Sequence, residues 1–184
     1  LNMATRIALS CTVITGHTAL NTAVGCAPIP FVDWPILLAS EVLLCTELAA
    51  IWSVPRKHCF QYLNCALSSI GVSCMVGVAI GKSLASFAMW FFLLNPAVGV
   101  SATAVDASIS GLVTGLIGVS LTIMFAFLYN NIKAKYYESM TIEHAAKAIP
   151  PNVASKIVQG LKSGKSVNTV ILEALKDMAI NTKA

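Results

Sequence analysis

Charge is what this sequence has least of. Asp, Glu, Lys and Arg make up 11% of its 184 residues, whereas soluble domains carry roughly 25%. With 57% hydrophobic residues and a mean hydropathy of +0.77, that scarcity places the chain in the membrane class. The competing class is an unusually apolar soluble helical bundle. The excess of basic over acidic residues is only +4, and no aromatic residues interleave with the basic ones, so nucleic acid is excluded as a partner.

Catalytic and metal-binding signatures are missing as well. The cysteines at 11, 26, 45, 59, 65 and 74 form no CxxC, and they sit in apolar surroundings that suit small buried hydrophobes. His58-Cys59 with Cys65 is the nearest approach to a ligand cluster, and it lacks zinc spacing. No GxSxG, HExxH, GxGxxG or EF-hand pattern occurs, so neither a catalytic set nor a cofactor is expected. Gly-Lys-Ser occurs at 81–83 and at 164–166, each with a glycine four residues earlier (Gly77, Gly160). A phosphate loop needs one more residue between the glycines and a preceding strand. Direct nucleotide binding is therefore not expected.

What the sequence does contain is long uncharged runs. Residues 7–27, Cys59–Gly81 (23 residues) and Ala107–Ile132 (26 residues) carry no formal charge, and each is long enough to cross about 30 Å of hydrocarbon as a helix. The first run is rich in Thr and includes His17, which reads as a hydrogen-bonded interior histidine because no carboxylate is near in sequence. The stretch after Lys82, SLASFAMWFFLLNP, is too short to span. It reads as an interfacial or re-entrant helix stopped at Asn95-Pro96, with 97–103 as a small-residue link.

Small residues recur every four positions in two of these runs: Cys65, Ser69, Ser73, Gly77 and Gly81 in one, Ala107, Gly111 and Gly115 in the other. Such stripes let helix backbones approach closely, and the two runs are expected to pack on each other.

Between the first two runs lies Cys26–Val54, on which the rest is organised. Pro28, Pro30 and Pro35 force its entry to be extended or turned. Asp33, Ser40 and Glu47 then fall seven apart, nearly on one helix face, with Glu41 about 80° round. Carboxylates in so apolar a segment need partners or water. Glu41 and Glu47 lie too far apart around the helix to share one. Asp33, Glu41, Glu47, Lys82 and Asp106 are thus the intramembrane polar set.

Basic residues set the orientation: Arg56-Lys57 and Lys133 with Lys135 should share the cytoplasmic or matrix-equivalent side. Beyond residue 132 come eight basic and four acidic residues, which divides the chain into a membrane-embedded domain, 1–132, and a soluble amphipathic tail, 133–184. In the tail, Thr141, Asn152 and Ser166 are expected helix caps. The first capped helix runs to Ile149. The last carries Val167, Val170, Ile171, Ala174, Leu175 and Met178 on one face. The chain begins Leu-Asn-Met, which suits a piece of a longer protein or a cleaved presequence.

The run Ala27-Pro28-Ile29-Pro30, Asp33, Leu37, Glu41-Val42, Leu44, Glu47-Leu48-Ala49 and Ile51-Trp52 resembles the YcjF-type helical membrane domain of unknown function that follows the GTPase domain in many small-GTPase-like proteins. The resemblance covers about residues 5–132. Lys82, Pro96–Gly99 and the helix around Thr114–Gly118 fit its second half, and Gln usually stands where Glu41 does. It implies a helical membrane module with no assigned catalytic residues. No GTPase motif is present here, so nucleotide hydrolysis is not carried over.

The expectation is an all-α, multi-pass protein of an organellar or bacterial inner membrane. It would have three to four apolar helices, one interfacial helix and a short soluble tail, and would act without catalysis as an accessory subunit or anchor among lipid and other protein subunits. The alternatives are an ion or small-solute conduit lined by the polar set, and the membrane module of a GTPase.

Overall fold

The structure is a computed structural model that describes residues 1–26, 33–71, 96–131 and 141–182; at 33–34, 96–99 and 141 only the backbone is described. Among the described residues there are seven α-helices and no strand, so the described structure is all-α. They are α1 (Met3–Gly25), α2 (Asp33–Ile51), α3 (Cys59–Ile70), α4 (Pro96–Asn131), α5 (Thr141–Ala146), α6 (Pro151–Lys162) and α7 (Val167–Asp177), with a 3₁₀ turn at Arg56–His58 before α3.

Helix α4 is the axis. Its 36 residues extend about 54 Å at 1.5 Å per residue. From Thr114 to Ala126 every side chain or glycine on it is buried. Helix α1 runs antiparallel to it: Gly25 faces Ala107, Gly111 faces Thr22 and Thr18, and Gly118 faces Ile14. Farther up, the Arg6 guanidinium lies 4.4 Å from the Tyr129 ring centroid. Helix α2 returns alongside both, so that Trp52 meets Tyr129 edge to face with ring centroids 6.0 Å apart. Helix α3 is seated by Tyr62 against Phe125, centroids 5.1 Å apart.

The C-terminal helices close the same core. Val153, Ala154 and Ile157 of α6, and Val170, Ile171, Ala174 and Leu175 of α7, are buried in one cluster with Leu44, Leu48, Tyr62 and Leu121. The apolar face of α7 is thus covered by this chain itself. Its start is the Ser166 cap, whose Oγ accepts from the Thr169 N–H at 3.2 Å.

Several boundaries differ from the sequence expectations. The run from Cys59 is not one helix to Gly81: α3 ends at Ile70, because Gly71 has φ +97° and ψ 138°, a conformation glycine adopts without a Cβ penalty. Residues 97–103 are not a link but the first turns of α4. A proline that stops one helix fits equally at the first position of the next, where its missing N–H is not needed. For the same reason α6 starts at Pro151 behind Pro150, not from an Asn152 cap. Helix α5 ends at Ala146, short of Ile149.

The third run does pack on α4, through Tyr62 on Phe125, but the described α4 stripe meets other helices: Gly111 and Ala107 meet α1, and the nearest neighbour of a Cβ at Gly115 is Leu161 of α6. Helix α1 offers Thr18, Thr22 and Gly25 to fit the α4 stripe, which the sequence stripe on the third run does not reveal. Cys65 and Ser69 lie half-buried on α3. Ser73, Gly77, Gly81, Lys82, Pro28, Pro30 and the expected interfacial helix lie outside the described residues, as does the Asp33 side chain.

Candidate functional site

The buried face of α1 is polar. Arg6, Ser10, His17 and Asn21 all point inward, beside Met3, Ile7 and Ile14, while its exposed residues are Ala, Leu, Thr and Gly. Each inward group finds a partner across the bundle. Arg6 donates from Nη1 to the Ile51 carbonyl, at the C-terminus of α2, where a cation also suits the helix dipole. One turn on, Trp52 Nε1 donates to Ser10 Oγ at 2.9 Å.

Beyond Ile14 the seam becomes titratable. His17 Nδ1 lies 2.9 Å from Ser40 Oγ and its Nε2 lies 3.2 Å from Glu47 Oε2. Ser40 and Glu47 are two turns apart on α2, so the expected α2 stripe is occupied by one histidine. The partner carboxylate is 30 residues away in sequence, which is why local reasoning found none. Ser, His and Glu in this order resemble a nucleophilic relay, but the accessibility is reversed. Ser40 is 6% exposed and the Glu47 side chain 43%. Backbone N–H groups inside α2 are used within the helix, so α2 itself offers Ser40 no oxyanion donors.

One turn further along α1, Asn21, Glu41 and Thr114 meet. Asn21 Nδ2 donates to Glu41 Oε1 at 3.1 Å and to Thr114 Oγ1 at 2.7 Å, and Thr114 Oγ1 donates to Glu41 Oε1 at 2.6 Å. Asn21 and Thr114 are wholly buried and Glu41 is 8% exposed. Glu41 and Glu47 therefore have different partners. Asp106 is buried two turns before Thr114 on α4. Of the polar set, Glu41, Glu47 and Asp106 lie on the α1–α2–α4 bundle. The structure joins the first two to α1, through Asn21 and His17, residues the sequence reading did not pair with them.

Elsewhere the described chain offers little chemistry. Cys11, Cys26, Cys45, Cys59 and Cys65 are free thiols. No three His, Cys, Asp or Glu side chains among the described residues are grouped to hold a metal ion. A groove of about 570 Å³ between α6 and α7 is lined by Lys156, Lys165, Lys176, Glu173 and Asp177. Four of these five pair with each other, Lys156 with Asp177 and Lys165 with Glu173, as surface ion pairs of small energy.

Comparison with known proteins finds no match: no family model, no curated protein and no solved structure is similar to this chain.

Proposed function

We propose that this chain is a non-catalytic helical membrane protein, whose apolar α1–α2–α4 end enters the bilayer and whose basic α6–α7 end stays at its surface. The observation that carries this reading is a contrast in polarity between helices. On α1, α2 and the start of α4, Leu20, Ile36, Leu38, Leu43, Val100 and Val105 are exposed, while His17, Asn21, Glu41 and Asp106 are buried. By contrast, α6 and α7 bury Val and Ile and expose Lys156, Glu173, Lys176 and Asp177. Polar groups inside and apolar groups outside is the arrangement lipid selects, because an intramembrane polar group is stable only when it faces the bundle interior.

Two helices, α1 and residues 100–131 of α4, are long and apolar enough to cross a membrane. Of the two, α4 is mostly covered within the protein, as a core helix of a soluble bundle would be. The reversed polarity of α1 and α2 is the stronger support. Trp52 and Tyr129 lie at the same end as Arg6, which supports a shared side of the bilayer for Arg56-Lys57 and the C-terminus of α4. Within a membrane, the role best fitted is a structural or accessory subunit, or an anchor, that packs on other subunits. The resemblance of Ala27–Trp52 to the YcjF-type domains belongs to this proposal and adds a GTPase-associated context. The test is alkaline carbonate extraction of native membranes. The chain is expected to stay in the membrane pellet, and its release intact would overturn the reading.

A second reading is supported by the seam itself. His17, Ser40, Glu47, Asn21, Glu41 and Thr114 line up within two turns of α1, as a conduit for protons would require. Flux in reconstituted vesicles that disappears in Glu41→Gln would favour it over the structural role.

A further inference from the structure

The donors bonded to Glu41 are spent before its acceptors are. Asn21 has two amide hydrogens, and they go to Glu41 Oε1 and Thr114 Oγ1. Thr114 has one hydroxyl hydrogen, and its oxygen lies 2.6 Å from Glu41 Oε1 and 3.1 Å from the Ser110 carbonyl. Two buried acceptor atoms are left without a hydrogen-bond partner, Glu41 Oε2 and Asn21 Oδ1. They belong to the pair already joined through Asn21 Nδ2 and Glu41 Oε1.

We propose that Glu41 is a proton-binding site, held as a carboxylic acid whose Oε2–H is given to Asn21 Oδ1. An acid and a primary amide joined by one N–H···O bond close into a ring when the acid hydrogen faces the amide oxygen. One proton thus satisfies both orphaned atoms, and no other single donor from the described chain does. An ionised carboxylate here would keep one oxygen bare in apolar surroundings, which is strongly unfavourable.

Among the described residues, the neighbouring charged and titratable groups leave this place to a proton. From α1 come Asn21 and, one turn away, His17, whose two ring nitrogens face Ser40 and Glu47. From α4 come Thr114 and, two turns earlier, the acidic Asp106. On α2 itself, Glu47 is turned to His17. Arg6 is about four turns of α1 away, at the Ile51 carbonyl and Ser53. The inference holds whether or not the apolar end lies in lipid, because it rests on the hydrogen-bond inventory alone.

Infrared spectroscopy of the whole chain at neutral pH, in H₂O and in D₂O, tests it. The expected result is the carbonyl stretch of an un-ionised carboxylic acid. It should shift down in D₂O and be absent from Glu41→Gln, whose amide can form the same ring with Asn21. In Asn21→Leu the band should move up, because the acid loses its amide partner. Glutamate labelled with ¹³C at its side-chain carboxyl separates a glutamate band from that of the buried Asp106 without any substitution, should a variant fail to fold. A folded chain with no Glu-derived acid band at neutral pH would overturn the proposal. So would loss of the band on adding sodium or potassium chloride at constant pH, since a metal ion would then be the occupant.

Discussion

The closest approach of one helix backbone to another, at Gly25, gives the sharpest test of the bundle. A Cβ placed on Gly25 would stand 2.8 Å from the Ala107 Cα and 3.1 Å from its N. These are backbone atoms of α4 and cannot rotate away, so Gly25→Ala must push α1 and α4 apart. Overpacking of this kind costs about 1–3 kcal/mol. Working against it, Gly→Ala within a helix gains up to about 1 kcal/mol. Gly16 lies on the same helix with nothing within 4 Å of its Cβ position, so Gly16→Ala gains the helical term without the clash. The two variants should therefore differ by about 1–3 kcal/mol, and Gly25→Ala should melt roughly 2–12 °C below Gly16→Ala, at about 2–4 °C per kcal/mol for a chain of this size. Thermal unfolding of both variants in the same detergent, followed by circular dichroism, measures the difference. Equal midpoints would refute the close contact of Gly25 with Ala107.

Two other substitutions probe separate joints. Trp52→Phe keeps most of the ring but orphans Ser10 Oγ, which like Trp52 is wholly buried, and should lower stability by about 1–3 kcal/mol in denaturant titration; no change would mean that water replaces the indole N–H. Gly71→Ala puts a Cβ on a residue at φ +97° with open space around it, so any loss, about 1–3 kcal/mol, is conformational. If the same titration shows stabilisation instead, the run from Cys59 continues as helix past Gly71.

Much of the fold was legible because local chemistry decides it. Ser166 and the spacing of Val170, Ile171, Ala174 and Leu175 define α7 from sequence, since cap and period agree. The placement of Ser40 and Glu47 on one face follows from their spacing alone. What they bind does not, because His17 reaches them across a 23- to 30-residue gap that only the antiparallel pairing of α1 and α2 closes. Glycine was the main source of misreading. Gly71 ends a helix through its own φ, Gly111 and Gly118 admit α1, and Gly115 faces α6, yet all four look alike in a run of small residues. Pro96 and Pro151 misled in a similar way, because proline ends one helix and begins another with equal ease.

The central claim is that Leu20, Ile36, Leu38, Leu43, Val100 and Val105 face hydrocarbon while α6 and α7 do not. Labelling reconstituted protein with a photoreactive carbene carried on a lipid acyl chain, and locating the adducts by mass spectrometry, measures this directly. Adducts are predicted on the peptides around residues 20, 36–43 and 100–105, with none on Lys156–Asp177. Adducts concentrated on Leu172 and its neighbours, or spread evenly over the chain, would contradict it.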